Sequence, residues 1–476
     1  MPKAVGRVTG GGEMGTLKSR AARAAGLRAG RPGGRRALLF VIAALTAAAC
    51  LAAAAAPSPA NIEDPNAEPN HGAVIDRGGI DYAEDVVIVG GSVYVCGQVE
   101  DGTRGADASL MRMRVAGGAT AVWTSALAGQ DHAGAMAVAP GGAAIYTCGT
   151  REGVTDADIL VIKWSKSGRV IWKRTYDPTS AGYDAGADIV VDRDGNVTVF
   201  AIAQAAMRDD WLVVSWTAAG KRRWVRRLTD SPAEESASEM VVDRGGNLYV
   251  TGYADRAGKS SMLTVKLSRA GRVLWKRWYL GPAGLSSAGS ALVLRPGGGV
   301  FVGGLVANSS GGYDAVCVSY TKTGARAVAD PAAAGEATAA IEDLAVLTSG
   351  TIVGVGWASL DGRMDPFLCS WTVDGHVEAP ATIATDHSDE YVAVAADAFG
   401  GYCYAGTYAA AADASLIRVT RDSEDGAFWR WLWEGPTPGS QTRPKAVAAK
   451  GNVVAVCGDC YSAATGRDQF VMVWRY

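Results

Sequence analysis

Reactive side chains at workable spacings are few in this chain. Asp192-Arg193-Asp194-Gly195-Asn196 begins like a calcium loop. An EF-hand needs a Glu at its twelfth position, and Ala203 stands there. The matching stretch, Asp243-Arg244-Gly245-Gly246-Asn247, lacks the second Asp, so both read as turns between strands. Cys457-Gly458-Asp459-Cys460 is a lone C-x-x-C. A zinc site needs two more ligands at matching spacing, and neither C-x-x-C nor H-x-x-x-H recurs, so no metal is expected. A Cys457–Cys460 disulfide stays open as an option after export. Gly258-Lys259-Ser260 ends like a phosphate loop, but Tyr253 stands where its first Gly belongs. The four histidines, His71, His132, His376 and His387, are scattered, and neither G-x-S-x-G nor H-E-x-x-H occurs. No catalytic residue and no cofactor is expected.

One set of acids does share a place. Asp85, Asp188, Glu239 and Asp343 stand at one offset within a repeat, with Met136, Ala291, Ala393 and Lys445 there in the other copies. Carboxylates gathered around a narrow opening repel one another and favour a cation or cationic ligand. The competing reading is four independent, solvated side chains.

The repeat that positions them is clearest in Ser238–Tyr279, SEMVVDRGGNLYVTGYADRAGKSSMLTVKLSRAGRVLWKRWY. β-Branched and aromatic runs bounded by Gly, Asn, Asp and Ser give four short strands. A small residue ending the second strand recurs at Gly97, Gly149, Ala201, Gly252, Gly304, Gly356, Gly406 and Gly458, a spacing of 50 to 52 residues. An Asp leads into the third strand at Asp107, Asp158, Asp210, Asp314, Asp365, Asp413 and Asp468. Such a period with no helical pattern predicts an all-β, eight-bladed β-propeller of four-stranded antiparallel blades over 72–476. The eighth unit lacks a fourth strand, and Gly72–Asp76 (GAVID) is expected to supply it and close the ring. Trp123, Trp172, Trp224, Trp275 and Trp429 or Trp431 mark the fourth strands, Val328 standing there in the fifth unit. They read as packing between blades. Basic residues among them, such as Lys173, Arg174, Arg226, Arg227, Lys276 and Arg277, read as a guard against edge pairing.

Residues 1–56 carry nine Lys or Arg and one acid, Glu13, and Ala37–Ala56 is uncharged. A basic region before an apolar run reads as an export signal or anchor helix. Cleavage after Ala60, retention as an anchor and lipidation at Cys50 all remain open. Residues 57–71 read as a linker. Beyond Ala56 there are 37 basic and 47 acidic residues, a net of −10, which disfavours non-specific nucleic-acid binding.

Val190–Ala201 (VVDRDGNVTVFA), Val241–Gly252 (VVDRGGNLYVTG) and Asp158–Tyr176 (DILVIKWSKSGRVIWKRTY) resemble the bacterial β-propeller repeat of the SBBP type. SGRVIW and AGRVLW are also similar to the Trp-bearing blades of quinoprotein-like propellers. Both resemblances imply an exported propeller, and the first implies no defined reaction. The expectation is a monomeric, non-catalytic binding or scaffold module at the bacterial cell surface. Its partner would be a protein, glycan or cationic ligand, with membrane contact only through the N-terminal segment. The alternative is an exported enzyme, either a quinone-dependent oxidoreductase or a glycan-acting hydrolase or lyase.

Overall fold

A computed structural model describes residues 69–476, apart from 101–104, 128, 154–155, 179–181, 206–207, 230–234, 333–337, 360–361, 383–387, 412–413, 424–427, 434, 437–439 and 463–465. The signal or anchor segment, Cys50, Asp413 and His387 lie outside the described residues.

Eight blades of four antiparallel strands follow in chain order, spanning 82–124, 130–176, 185–227, 236–279, 287–332, 338–382, 391–433 and 441–475. The strand His71–Ile75 completes the eighth blade, pairing antiparallel with Gly466–Arg475 so that Gly72 faces Met472 and Val74 faces Phe470. The first strand of the chain thus becomes the outermost strand of the last blade. Joining the two ends leaves neither terminal blade incomplete. The Tyr476 hydroxyl adds a tie to blade 7 by donating to Asp397 at 2.9 Å. Blades 7 and 8 also touch through a parallel bridge, Ser415 to Gln441.

The core lies between the sheets. Strand side chains alternate between faces, and each blade has a neighbour on both sides. An apolar cluster therefore fills each of the eight seams, with a second, smaller one where blades 5 and 6 meet. This explains the nearly continuous apolar second and third strands, such as Ser92–Glu100 and Ala157–Trp164.

The fourth-strand tryptophans pack across seams, as their spacing suggested. The indole N–H of Trp172 donates to Ala218 O at 3.1 Å, that of Trp224 to Arg269 O at 3.2 Å, and that of Trp275 to Lys322 O at 3.3 Å. Each ring covers a turn glycine of the next blade: Gly220, Gly271 and Gly324 all have positive φ.

The basic residues beside them do more than guard an edge. The Nε of Arg174, Arg226 and Arg277 donates to the carbonyls of Gly220, Gly271 and Gly324 at 2.7, 2.8 and 2.5 Å. Lys173 reaches backward to Ser125 O at 2.6 Å, and Lys276 likewise holds Leu228 O. Blades 2 and 4 are therefore clamped in both directions by their outer strands, and blade 3 is held forward by Arg226.

Candidate ligand face and channel mouth

The first strand of every blade carries a bulge at the same place. The extra residues are Glu84, Gly134, Ala187, Ser238, Ser290, Glu342, Val392 and Lys445. A bulge re-aims the side chains around it. It also explains the periodic small residue, which sits inside the second strand and not at its end. A Cβ on Gly97 would lie 1.8 Å from Tyr82 O, and one on Gly252 2.0 Å from Ser236 O. At these glycines a Cβ would collide with the carbonyl that the bulge pushes forward. Ala201 holds this place in blade 3, opposite Gly186.

The four acids singled out by their common offset each directly follow the bulge residue and are the next paired residue of the strand. The structure brings each of them to a seam. Asp85 accepts the backbone N–H of Met136 at 3.0 Å, and Asp188 that of Met240 at 2.7 Å. Glu239 accepts from Leu292 at 2.7 Å, and Asp343 from Val394 at 3.0 Å. The second oxygen of each Asp accepts the N–H of the residue that follows it, Val86, Ile189 or Leu344, at 2.8 Å. Asp85, Asp188 and Glu239 are buried. Where blades 5 and 6 meet, Ser290 plays the reverse part and donates to Ile341 O.

A second set of acids, unnoticed in the sequence reading, occupies the face where the inter-blade loops emerge. Asp81, Asp131, Asp184, Glu235 and Asp389 open the first strands and are buried. Each stands four or five residues before the offset already noted, so the period itself carried the signal. At three seams such an acid meets the third-strand Asp of the preceding blade. Burial lifts the Asp81 carboxyl to about 6, and Asp468 and Asp76 add to the shift. Burial lifts Asp131 to about 6, with Asp107 adding to it. Ser125 Oγ lies between these two, 3.2 Å from Asp107 and 3.0 Å from Asp131. Burial lifts Glu235 to about 7, with Asp210 adding to it. Asp76, Asp81 and Asp468 each bring a carboxylate oxygen within 4.8 Å of the others, at the join between the two ends of the propeller.

The described histidines lie apart. His71 is in the closing strand against Gly117, and His376 ends a turn of blade 6. His132 opens blade 2 with its Nε2 3.6 Å from Glu84 Oε1. The Asp192 and Asp243 loops are turns. Asp192 accepts the N–H groups of Asp194 and Asn196, both at 2.9 Å, and Asp243 accepts those of Gly245 and Asn247. No disulfide joins Cys457 and Cys460. They sit three apart in one strand and enter different seams, Cys457 toward blade 1 and Cys460 toward blade 7, so the disulfide option falls.

No family model matches the chain, and no curated protein does. Solved structures do. Sqt1 from Chaetomium thermophilum bound to the N-terminus of the ribosomal protein L10 superposes with a TM-score of 0.52 at 12% identity, covering 86% of this chain and 100% of that one. Sqt1 alone gives 0.53 at 13% identity, over 85% and 97%. The polysaccharide lyase Uly1 gives 0.47 at 9% identity, over 86% and 99%. The class that emerges is the eight-bladed β-propeller, and identities this low reach no further than the fold.

Proposed function

We propose that this chain is an exported propeller of the SBBP type that binds or scaffolds a partner at the bacterial cell surface without catalysing a reaction. The supporting observation is the set of carboxylates gathered at the seams beneath the face where the inter-blade loops emerge. A rigid ring of blades holds that face in place, and loops on a rigid scaffold suit recognition. Sqt1, a propeller of similar fold, was solved with the N-terminus of a ribosomal protein bound. A basic peptide segment is the partner chemistry that the acidic face fits. Asp85, Asp188, Glu239 and Asp343 enter this reading only as contributors of negative potential from within the seams, where their oxygens hold the blades.

Calorimetry with a Lys/Arg-rich peptide tests the binding. The expected result is salt-sensitive binding that weakens when these four seam acids become Asn or Gln in a variant that stays folded. Binding that is unchanged in that variant refutes their role in recognition. Export has its own test: protease added to intact cells should digest residues 72–476, and protection of that region alongside a cleaved surface marker refutes it.

The His132–Glu84 pair favours the enzymatic alternative. A carboxylate beside an imidazole at a channel mouth suits general acid–base chemistry. Turnover of an acidic glycan that His132→Ala abolishes would establish that reading.

A further inference from the structure

Charge is distributed very unevenly over the blades. Segments 163–176, 217–229 and 266–279, the outer hairpins of blades 2, 3 and 4, hold fifteen Lys or Arg and not one Asp or Glu. The rest of the chain beyond Ala56 holds 22 basic and 47 acidic residues. The corresponding segment of blade 6, 371–382, has Asp374 and Glu378 and no Lys or Arg. Lys166, Arg169, Arg174, Lys221, Arg222, Arg226, Arg272 and Lys276 are exposed. Among the described residues, carboxylates pair with Arg227 and Arg269 of this arc and with none of those eight.

The array is also fixed in place. Arg174, Arg226 and Arg277 each donate Nε to a turn glycine carbonyl of the next blade. Their Nη1 donates to the carbonyl of the residue before, Lys173, Val225 or Lys276, at 2.6 to 2.8 Å. Three guanidinium groups are thus held in the same pose on successive blades with their positive charge unneutralised. An anchored guanidinium loses little freedom when it meets an anion. The arc is continuous, since Arg222 of blade 3 lies over Tyr176 of blade 2, 4.9 Å from the ring centre, and Arg226 of blade 3 holds the Gly271 carbonyl of blade 4.

We infer that this rim is a docking surface for an acidic polysaccharide. A repeating array of positive charges fits a polymer with repeating negative ones. The outer wall of a propeller is convex, so a flat membrane or a stiff duplex meets it along one blade, whereas a flexible chain can follow three. Single-stranded nucleic acid binding relies on aromatic platforms. Here Trp172, Trp224 and Trp275 are committed to covering the next blade's turn, with each indole N–H bonded to a carbonyl. Charge then does the recognising, with exposed Ile171, Val273 and Leu274 offering apolar contact to sugar rings. This surface is separate from the acidic loop face and stands whether or not that face takes a peptide.

The test uses the full-length chain with dextran sulfate, polygalacturonate, neutral dextran and poly(dT). One variant carries Lys166→Glu, Arg169→Glu, Lys221→Glu and Arg272→Glu, residues whose hydrogen bonds run through their backbone. A charge-matched control carries Arg77→Glu, Arg114→Glu, Lys450→Glu and Arg475→Glu, all exposed and outside the arc. The expected result is salt-sensitive binding of both acidic glycans and none of dextran, weakened at least tenfold in the arc variant and less than twofold in the control. Equal losses in the two variants would mean that net charge alone governs binding, and would overturn the proposal. So would tighter binding of poly(dT), or salt-sensitive self-association that the arc variant abolishes, which would make a second copy the occupant.

Discussion

The carboxylate of Asp188 in blade 3 accepts the backbone N–H of Met240 in blade 4 at 2.7 Å, while its other oxygen accepts the N–H of Ile189. The side chain is 3% exposed. Removing it strands two N–H groups, and a buried donor left unsatisfied costs about 1–3 kcal/mol. Asp188→Ala should therefore lower stability by about 2–4 kcal/mol in urea unfolding. Asp188→Asn, which keeps an acceptor oxygen, should recover part of that loss. An Ala variant as stable as the wild type would show that the seam does not depend on this bond.

The turn glycines differ in what lies above them, and their alanine variants should rank accordingly. All have positive φ, which costs a side-chain-bearing residue about 1–2 kcal/mol. A Cβ on Gly168 would lie 1.7 Å from the Trp123 ring, one on Gly220 2.9 Å from Arg174, and one on Gly195 only 3.4 Å from Ala218. Gly168→Ala should be the most destabilising, Gly220→Ala intermediate and Gly195→Ala the mildest. Thermal unfolding, read by tryptophan fluorescence, checks the order.

Closure by His71–Ile75 should be visible in exchange. Val74 packs into the seam with Phe470 and Met472. Val74→Asp places a charge there, at a cost of about 1–3 kcal/mol. The expected outcome is lost amide protection in residues 71–75 and in their partners around Val471 and Val473. Freed strand edges should also make the variant associate on size-exclusion chromatography.

The seam acids set a pH dependence. Asp81 and Asp131 are raised to about 6 and Glu235 to about 7, in each case chiefly by burial. A folded-state pKa above the unfolded one means that the native state binds more protons. The stabilisation is complete below the unfolded values and is lost as pH rises through 6 to 7. Glu235→Gln should raise the melting temperature at pH 8 by about 1–3 °C and leave it unchanged at pH 4.

Much of this architecture is local and therefore legible in one dimension. Each blade is built from neighbouring hairpins, so turn chemistry at Asp192 and Asp243, alternation in Leu248–Asp255 and the recurring Gly report the strands and their number. The unpaired GAVID and the missing fourth strand of the last unit pointed to closure, because a ring of sheets leaves one place for a spare strand. What the pattern could not convey is where a repeated side chain points. Asp85, Asp188, Glu239 and Asp343 share an offset whether they face the channel or a neighbour. A one-residue bulge decided in favour of the seam. Arg174 and Arg277 look like edge guards in sequence, yet bond to glycine carbonyls 46 and 47 residues away. A Cys457–Cys460 bond is open in the sequence until strand alternation sends the two side chains to opposite faces. Contacts within a blade follow from the order of residues along the chain. Contacts between blades depend on how twisted, bulged sheets stack around an axis, and only the tertiary structure determines that.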